Sequence, residues 1–164
     1  MPGHRDAALG TATGFENFRV QREPLCRDTA FAMSEQNVEV VRALHRAIND
    51  ADVEAAFALL DPEIVWMQNP NAPDPRPFRG HDGMREFQEM LAEAFEDVRL
   101  EGDRFIDAGE RVVSLGHMRA RGVGSGVEIR EPRGWVWTVR NGKVLRHQTH
   151  DNHQAALEAV GLSP

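Results

Sequence analysis

The sequence contains no tyrosine, one cysteine and no long apolar run. The single cysteine, Cys26, cannot form an internal disulfide, so a disulfide-stapled secreted scaffold is excluded and the cytoplasm is the expected location. No stretch approaches the roughly 18 apolar residues of a membrane span, and no apolar segment follows the first charges as it would in a secretory leader. Basic clusters are also missing. The formal net charge is −7 and Lys/Arg are scattered, which argues against nucleic acid as a partner. With three Trp and no Tyr, any internal pocket is apolar with few hydrogen-bond donors.

What is present is one domain's worth of chain: 164 residues, 41% apolar and 27% charged. Residues 1–32 carry Phe15, Phe18 and Phe31 without a sustained period and read as a mobile extension. Met33 opens the patterned part and could itself be a start. Ser34 is expected to cap a helix whose apolar face is Val38, Val41, Leu44 or His45, and Ile48. Asp52 caps a short second helix with Phe57 and Leu60, ending near Asp61-Pro62. An opening strand, 63–68, runs into "NPNAPDPRPFRG", with four prolines in twelve residues. Asp82 is expected to cap a third helix presenting Met84, Phe87, Leu91 and Phe95.

The second half alternates as strands do: "VRLEGDRFI", "RVVSLGHMRAR", "VEIREPRGWVWTV" and "KVLRHQTH". Asn141-Gly142 is a two-residue hairpin signal, and Pro132 predicts a bulge or bend. Asn152 can cap a last short helix closed by Gly161. The order α-α-β-α-β-β-β-β-α predicts an α+β domain. A curved antiparallel sheet wraps on three N-terminal-half helices, leaving a concave space where a small ligand can sit.

Three motifs carry less than they first suggest. His147, His150 and His153 are spaced by three, but on a strand 147 and 150 point to opposite faces, so no metal is expected. "GVGSG" precedes a strand rather than a helix and reads as a hairpin turn, not a phosphate loop. His117, Arg119 and Arg121 have parity opposite to Met118 and are expected on the outer sheet face, solvated or paired across a dimer.

The plan, with "FRGHDGMREF" (78–87), "VWTVRNGKV" (136–144) and "HDNHQAALEAVGL" (150–162), resembles the SnoaL-like branch of the nuclear transport factor 2 superfamily, the ketosteroid isomerase-like proteins. The resemblance covers residues 33–162 and implies a cystatin-like α+β cone over 33–164. The superfamily holds isomerases, polyketide cyclases, epoxide hydrolases, dehydratases and non-catalytic binding domains, so fold does not choose among them. The resemblance places Asn69 where the ketosteroid isomerases carry a basic aspartate and the limonene epoxide hydrolases an asparagine that holds water. It places Trp135 where the isomerases carry an acid that donates to an oxyanion. An amide cannot take a proton at neutral pH, which counts against steroid-isomerase chemistry. The hydrolase pattern's charged positions fall on Gly116, Met118 and Thr149, none ionisable.

Parity from the same resemblance turns Trp135, Trp137 and Val139 inward, and Leu145, His147 and Thr149 beside them. His147 is then the titratable group inside, suited to proton transfer. The expected site is His147, Asn69 and Trp135 as catalytic residues, with Met67, Phe78, Met118, Trp137 and Thr149 lining the pocket. The plainer alternative makes the tryptophans core and His147 a satisfied core histidine. Two functions stay open: an isomerase, cyclase or dehydratase on a hydrophobic substrate through His-mediated proton transfer, or a non-catalytic domain binding a small apolar ligand. No cofactor is expected. The family implies a homodimer through the outer sheet face.

Overall fold

The computed structural model describes residues 13–164, with side chains from Thr29 onward. The chain divides between Met33 and Ser34 into two compact units, and the second, Ser34–Pro164, carries the entire sheet. Helix α1 spans Thr13–Asn49. It therefore begins well before Ser34, which is not its cap. The expected mobile extension falls partly on residues 1–12, which lie outside the described residues.

Helix α2 (Val53–Ala58) is capped as its sequence predicts, the Ala55 N–H donating to Asp52 Oδ1 at 3.0 Å. Strand β1 (Leu60–Met67) follows, then β2 (Pro77–Arg79), a short strand inside the Pro-rich stretch. Prolines hid β2 from the sequence reading, yet Phe78 pairs in register with Trp66. Helix α3 (Gly80–Ala94) starts from an extended Arg79 without a side-chain cap. Asp82, expected as its cap, lies instead in the first turn, where its charge suits the helix N-terminus.

Strands β3 (Phe95–Ala108), β4 (Arg111–Gly122), β5 (Glu128–Arg140) and β6 (Lys143–His150) form consecutive antiparallel pairs. Asn141 and Gly142, at φ 52 and 74, make the predicted hairpin turn between the last two. Helix α4 (His153–Glu158) is capped by Asn152, whose Oδ1 accepts from Ala155 N–H at 2.8 Å.

The sheet order is β2-β1-β6-β5-β4-β3. The β1–β6 pair is parallel, so the curved sheet is mixed rather than wholly antiparallel. Pro132 produces no bulge against β4: His117 pairs with it in an unbroken register. The reason is position. β5 meets β6 only from Gly134 onward, so the missing N–H of Pro132 falls where that side of the strand is unpaired.

Two apolar clusters hold the sheet. On the inner face Val41, Leu44 and Ala47 of α1, Ala56 of α2 and Met84 of α3 pack on Ile64, Trp66, Phe78, Leu100, Val112, Trp135, Trp137, Val139 and Val144. On the outer face Val113, Leu115 and Val136 are covered by Ala156 and Leu157 of α4. The strict alternation 135–136–137 between the two clusters fixes which side chains point inward along β5. Among the described residues no helix is long and apolar enough to cross a membrane.

Candidate functional site

His147 points inward, as its parity predicts, but into packed core. It is 1% exposed and lies against Trp66, with ring centroids 3.7 Å apart and planes 25° from parallel, and against Trp137 at 4.5 Å. Its Nε2 sits 3.4 Å from Thr149 Oγ1, and its buried Nδ1 has no partner among the described residues. Burial, with His45 and His150 adding to it, holds its pKa well below 6.5, so the ring is neutral. A ligand cannot touch it without the aromatic layer opening.

The other expected lining residues divide. Phe78 and Trp137 are buried in the inner cluster, and Met118 packs against it. Trp135 is 2% exposed, in register with the half-buried Thr149. Met67 does not line this face. Trp66 takes the inner position, so alternation turns Met67 to the other side. Val144, not Leu145, belongs to the inner cluster. The register shifts between Thr138 and Val139, which pair with Arg146 and Val144, and Leu145 is the extra residue.

Asn69 sits beyond the end of β1 in a turn in which its Oδ1 accepts from Asn71 N–H at 3.0 Å. Its side chain reaches Asp151, just past β6: Asn69 Nδ2 donates to Asp151 Oδ1, and Asn71 Nδ2 donates to the other oxygen, Oδ2. Parallel pairing of β1 and β6 brings these ends together, since Met67 lies beside Gln148. Arg133, its side chain only 14% exposed, approaches the same carboxylate with Nη1 at 4.0 Å from Oδ1 and is also held by Glu131. The Asn69 hydrogen bond, then that of Asn71 and the charges of Arg133 and His150, hold Asp151 below the usual carboxylate range, with burial working the other way. Nearby, Gln68 Nε2 lies 3.8 Å from Met90 Sδ of α3.

The result is a polar rim where β1 and β6 end, beside Arg133 of β5. Glu131 and Arg133 pair in register with Met118 and Gly116 and share the inward parity of Trp135 and Trp137. Carrying the alternation of Trp135 two residues back along β5 reaches Arg133, whereas Asp151 lies past the end of β6, where alternation no longer assigns a face.

Deeper in, a second polar group was also missed. His45 Nε2 is 3.0 Å from Ser114 Oγ, and Trp137 Nε1–H donates to the same Oγ at 2.7 Å. His45 Nδ1 lies 3.2 Å from the Leu100 carbonyl, which can only accept. The protons are therefore assigned: Nδ1–H to Leu100 O, Ser114 O–H to Nε2. Burial lowers the His45 pKa to about 4, the backbone bond opposing only in part. Ser114 is fully buried, so this is internal cross-bracing of α1 to β3, β4 and β5.

His147, His150 and His153 do not converge. His153 Nε2 meets the Gly116 carbonyl at 2.8 Å, and among the described residues no three metal-ligating side chains gather as an ion would need. His117, Arg119 and Arg121 lie on the face opposite to Met118, His117 beside Asp103 and both arginines at Glu128.

A family model for the SnoaL-like domain matches residues 41–147. No curated protein matches the chain. Among solved structures, an NTF2-like protein from Burkholderia pseudomallei K96243 is 26% identical, with 77% of this chain and 98% of that one covered and a TM-score of 0.65. TerC, co-crystallised with polyporic acid, is 25% identical, with 76% and 98% covered and a TM-score of 0.65. A protein of ketosteroid isomerase-like fold from Catenulispora acidiphila DSM 44928, in complex with trimethylamine, is 15% identical, with 76% and 93% covered and a TM-score of 0.61; at that identity the likeness is one of fold.

Proposed function

The chain belongs to the SnoaL-like domain family, and from that premise we propose that residues 33–164 form a small-molecule enzyme of the isomerase, cyclase or dehydratase kind. It takes a flat, largely hydrophobic substrate, and Asp151 rather than His147 moves the proton. The observation that carries this reading is the pair of amides, Asn69 and Asn71, on the two oxygens of one carboxylate at the rim of the inner face. The position matched to the isomerase base holds an amide, Asn69, and Asp151 supplies the carboxylate beside it. An ionised carboxylate accepts a proton from carbon, and Arg133 stands where it can stabilise an enolate oxygen. A carboxylate held below its usual pKa is a weak base, so it suits a carbon acid already activated, such as the carbon between two carbonyls. The half-buried Met118 supplies the apolar wall with Trp135 packed behind it, Asn69 the donor that fixes the base, and His147 a neutral support within the buried aromatic layer. The co-crystallisation of TerC, 25% identical to this chain, with polyporic acid supports a small organic ligand here.

One observation favours a second reading, a non-catalytic binding domain: the amides already occupy both Asp151 oxygens. A screen of planar dicarbonyl and aromatic compounds for binding, followed by assay of each hit for α-carbon deuterium exchange in D2O, separates the two. Exchange that Asp151→Asn abolishes supports the enzyme. Tight binding with no exchange supports the binder.

The protein acts as a homodimer through the outer face of the sheet, where α4 covers only part of the surface. A reducing cytoplasm suits its lone Cys26.

A further inference from the structure

Away from the rim, α1 and β3 leave a groove of about 330 Å³ between Arg42, His45, Arg46 and Asn49 on the helix and Leu100 to Gly102 and Phe105 on the strand. That volume is within the range of small-ligand sites. The helix residues fall at i, i+3, i+4 and i+7, so one face of α1 presents them all.

Four features make the groove a built one. Asn49 clamps the walls together, its Oδ1 accepting from Leu100 N–H at 2.7 Å and its Nδ2 donating to Leu100 O at 3.0 Å. The strand is irregular here, its register against β4 shifting between Gly102 and Arg104. Gly102 lets the Phe105 and His45 rings close down on the strand, because a Cβ there would stand 2.6 Å from Phe105 Cζ and 3.2 Å from His45 Nδ1. The Arg42 guanidinium is held over the Phe105 ring, 4.8 Å from its centroid.

The charges point to the occupant. Arg42 and Arg46 stand one helical turn apart at the opening. Arg42 has an exposed pairing with Glu39 at 3.5 Å, and among the described residues no ion pair involves Arg46. Glu101, the acid among the lining residues, is bound by Arg130 at 3.1 Å. His45 is neutral, so it neither repels nor attracts an ion.

We propose that this groove binds a small organic anion, a carboxylate carried on a flat aromatic body. Its ring lies against Phe105, and its carboxylate takes the forked donors of Arg42 and Arg46. The site is separate from the Asp151 rim and does not depend on the reaction proposed there.

The test is titration of the full-length protein with benzoate, followed by backbone amide NMR, with benzamide as the neutral isostere. Saturable shifts should centre on Leu100, Glu101, Gly102 and Phe105, and benzamide should bind about tenfold more weakly or worse. Arg42→Gln with Arg46→Gln should weaken benzoate by about tenfold or more. Both side chains are exposed, so the melting temperature should hold. Asp151→Asn should leave the titration unchanged. Equal binding of benzoate and benzamide, no saturable shift, or shifts centred on Asn69 and Asp151 would each overturn the proposal.

Discussion

His45 and Trp137 share one hydroxyl: Ser114 Oγ accepts from Trp137 Nε1–H at 2.7 Å and lies 3.0 Å from His45 Nε2. A helix and two strands are thus joined through a single fully buried oxygen. Ser114→Ala keeps the volume almost unchanged but leaves a buried indole N–H and a buried imidazole nitrogen without partners. The expected cost is about 2–4 kcal/mol, read from chemical denaturation at neutral pH. A change within error would mean that water replaces the hydroxyl.

The same histidine sets an acid limit on stability. Unfolded, it titrates near 6.5; folded, it titrates at about 4 because of burial. Between those values the unfolded chain binds the extra proton, so stability is complete above about pH 6.5 and is lost as pH falls toward 4. The drop amounts to about 3 kcal/mol for His45. His147, lowered in the same direction by its own burial, adds to the loss. Unfolding free energies at pH 7 and near pH 4.5 check this. His45→Gln should flatten the slope, and an unchanged slope would contradict the assignment.

A chain beginning at Met33 should fold. Ala30 to Met33 are exposed along α1, whereas Val41, Leu44 and Ala47 supply its core contacts. Its melting temperature should lie within a few degrees of full length. A large loss would show that the earlier turns of α1 belong to the folding unit.

The outer face of β3, β4 and β5 carries Arg99, Arg119, Arg121 and Glu128, mixed charges able to pair across a two-fold axis. Sedimentation at micromolar concentration should give twice the mass of one chain. A clean monomer would remove the dimer from the account.

How much of this could be read in advance depended on local chemistry. Asp52, Asn152 and Asn141-Gly142 act within a few residues of themselves, so their helix starts and hairpin were legible. The alternation of Trp135 and Trp137 was legible because β5 is regular there. Parity failed where strands end or slip. β1 stops at Met67 and the chain turns at Asn69, and Trp66 rather than Met67 takes the inner position. At β6 the extra Leu145 changed places with Val144. The early start of α1 was hidden because Ser34, an acceptable cap in isolation, lies inside a continuous helix. Asp151 was missed for another reason. Its role comes from the parallel β1–β6 pairing, which joins residues 82 apart and has no local trace.

The central claim is that Asp151 is the working group of the rim. The most direct measurement is α-carbon exchange in D2O on a bound dicarbonyl ligand, comparing wild type with Asp151→Asn, with Asn71→Ala as a milder control. The account predicts that Asp151→Asn retains binding and loses exchange by about 10²–10⁴-fold. Asn71→Ala frees one oxygen and should raise the carboxyl pKa, keeping exchange and moving its acid limb to higher pH. Exchange undiminished in Asp151→Asn would contradict the account.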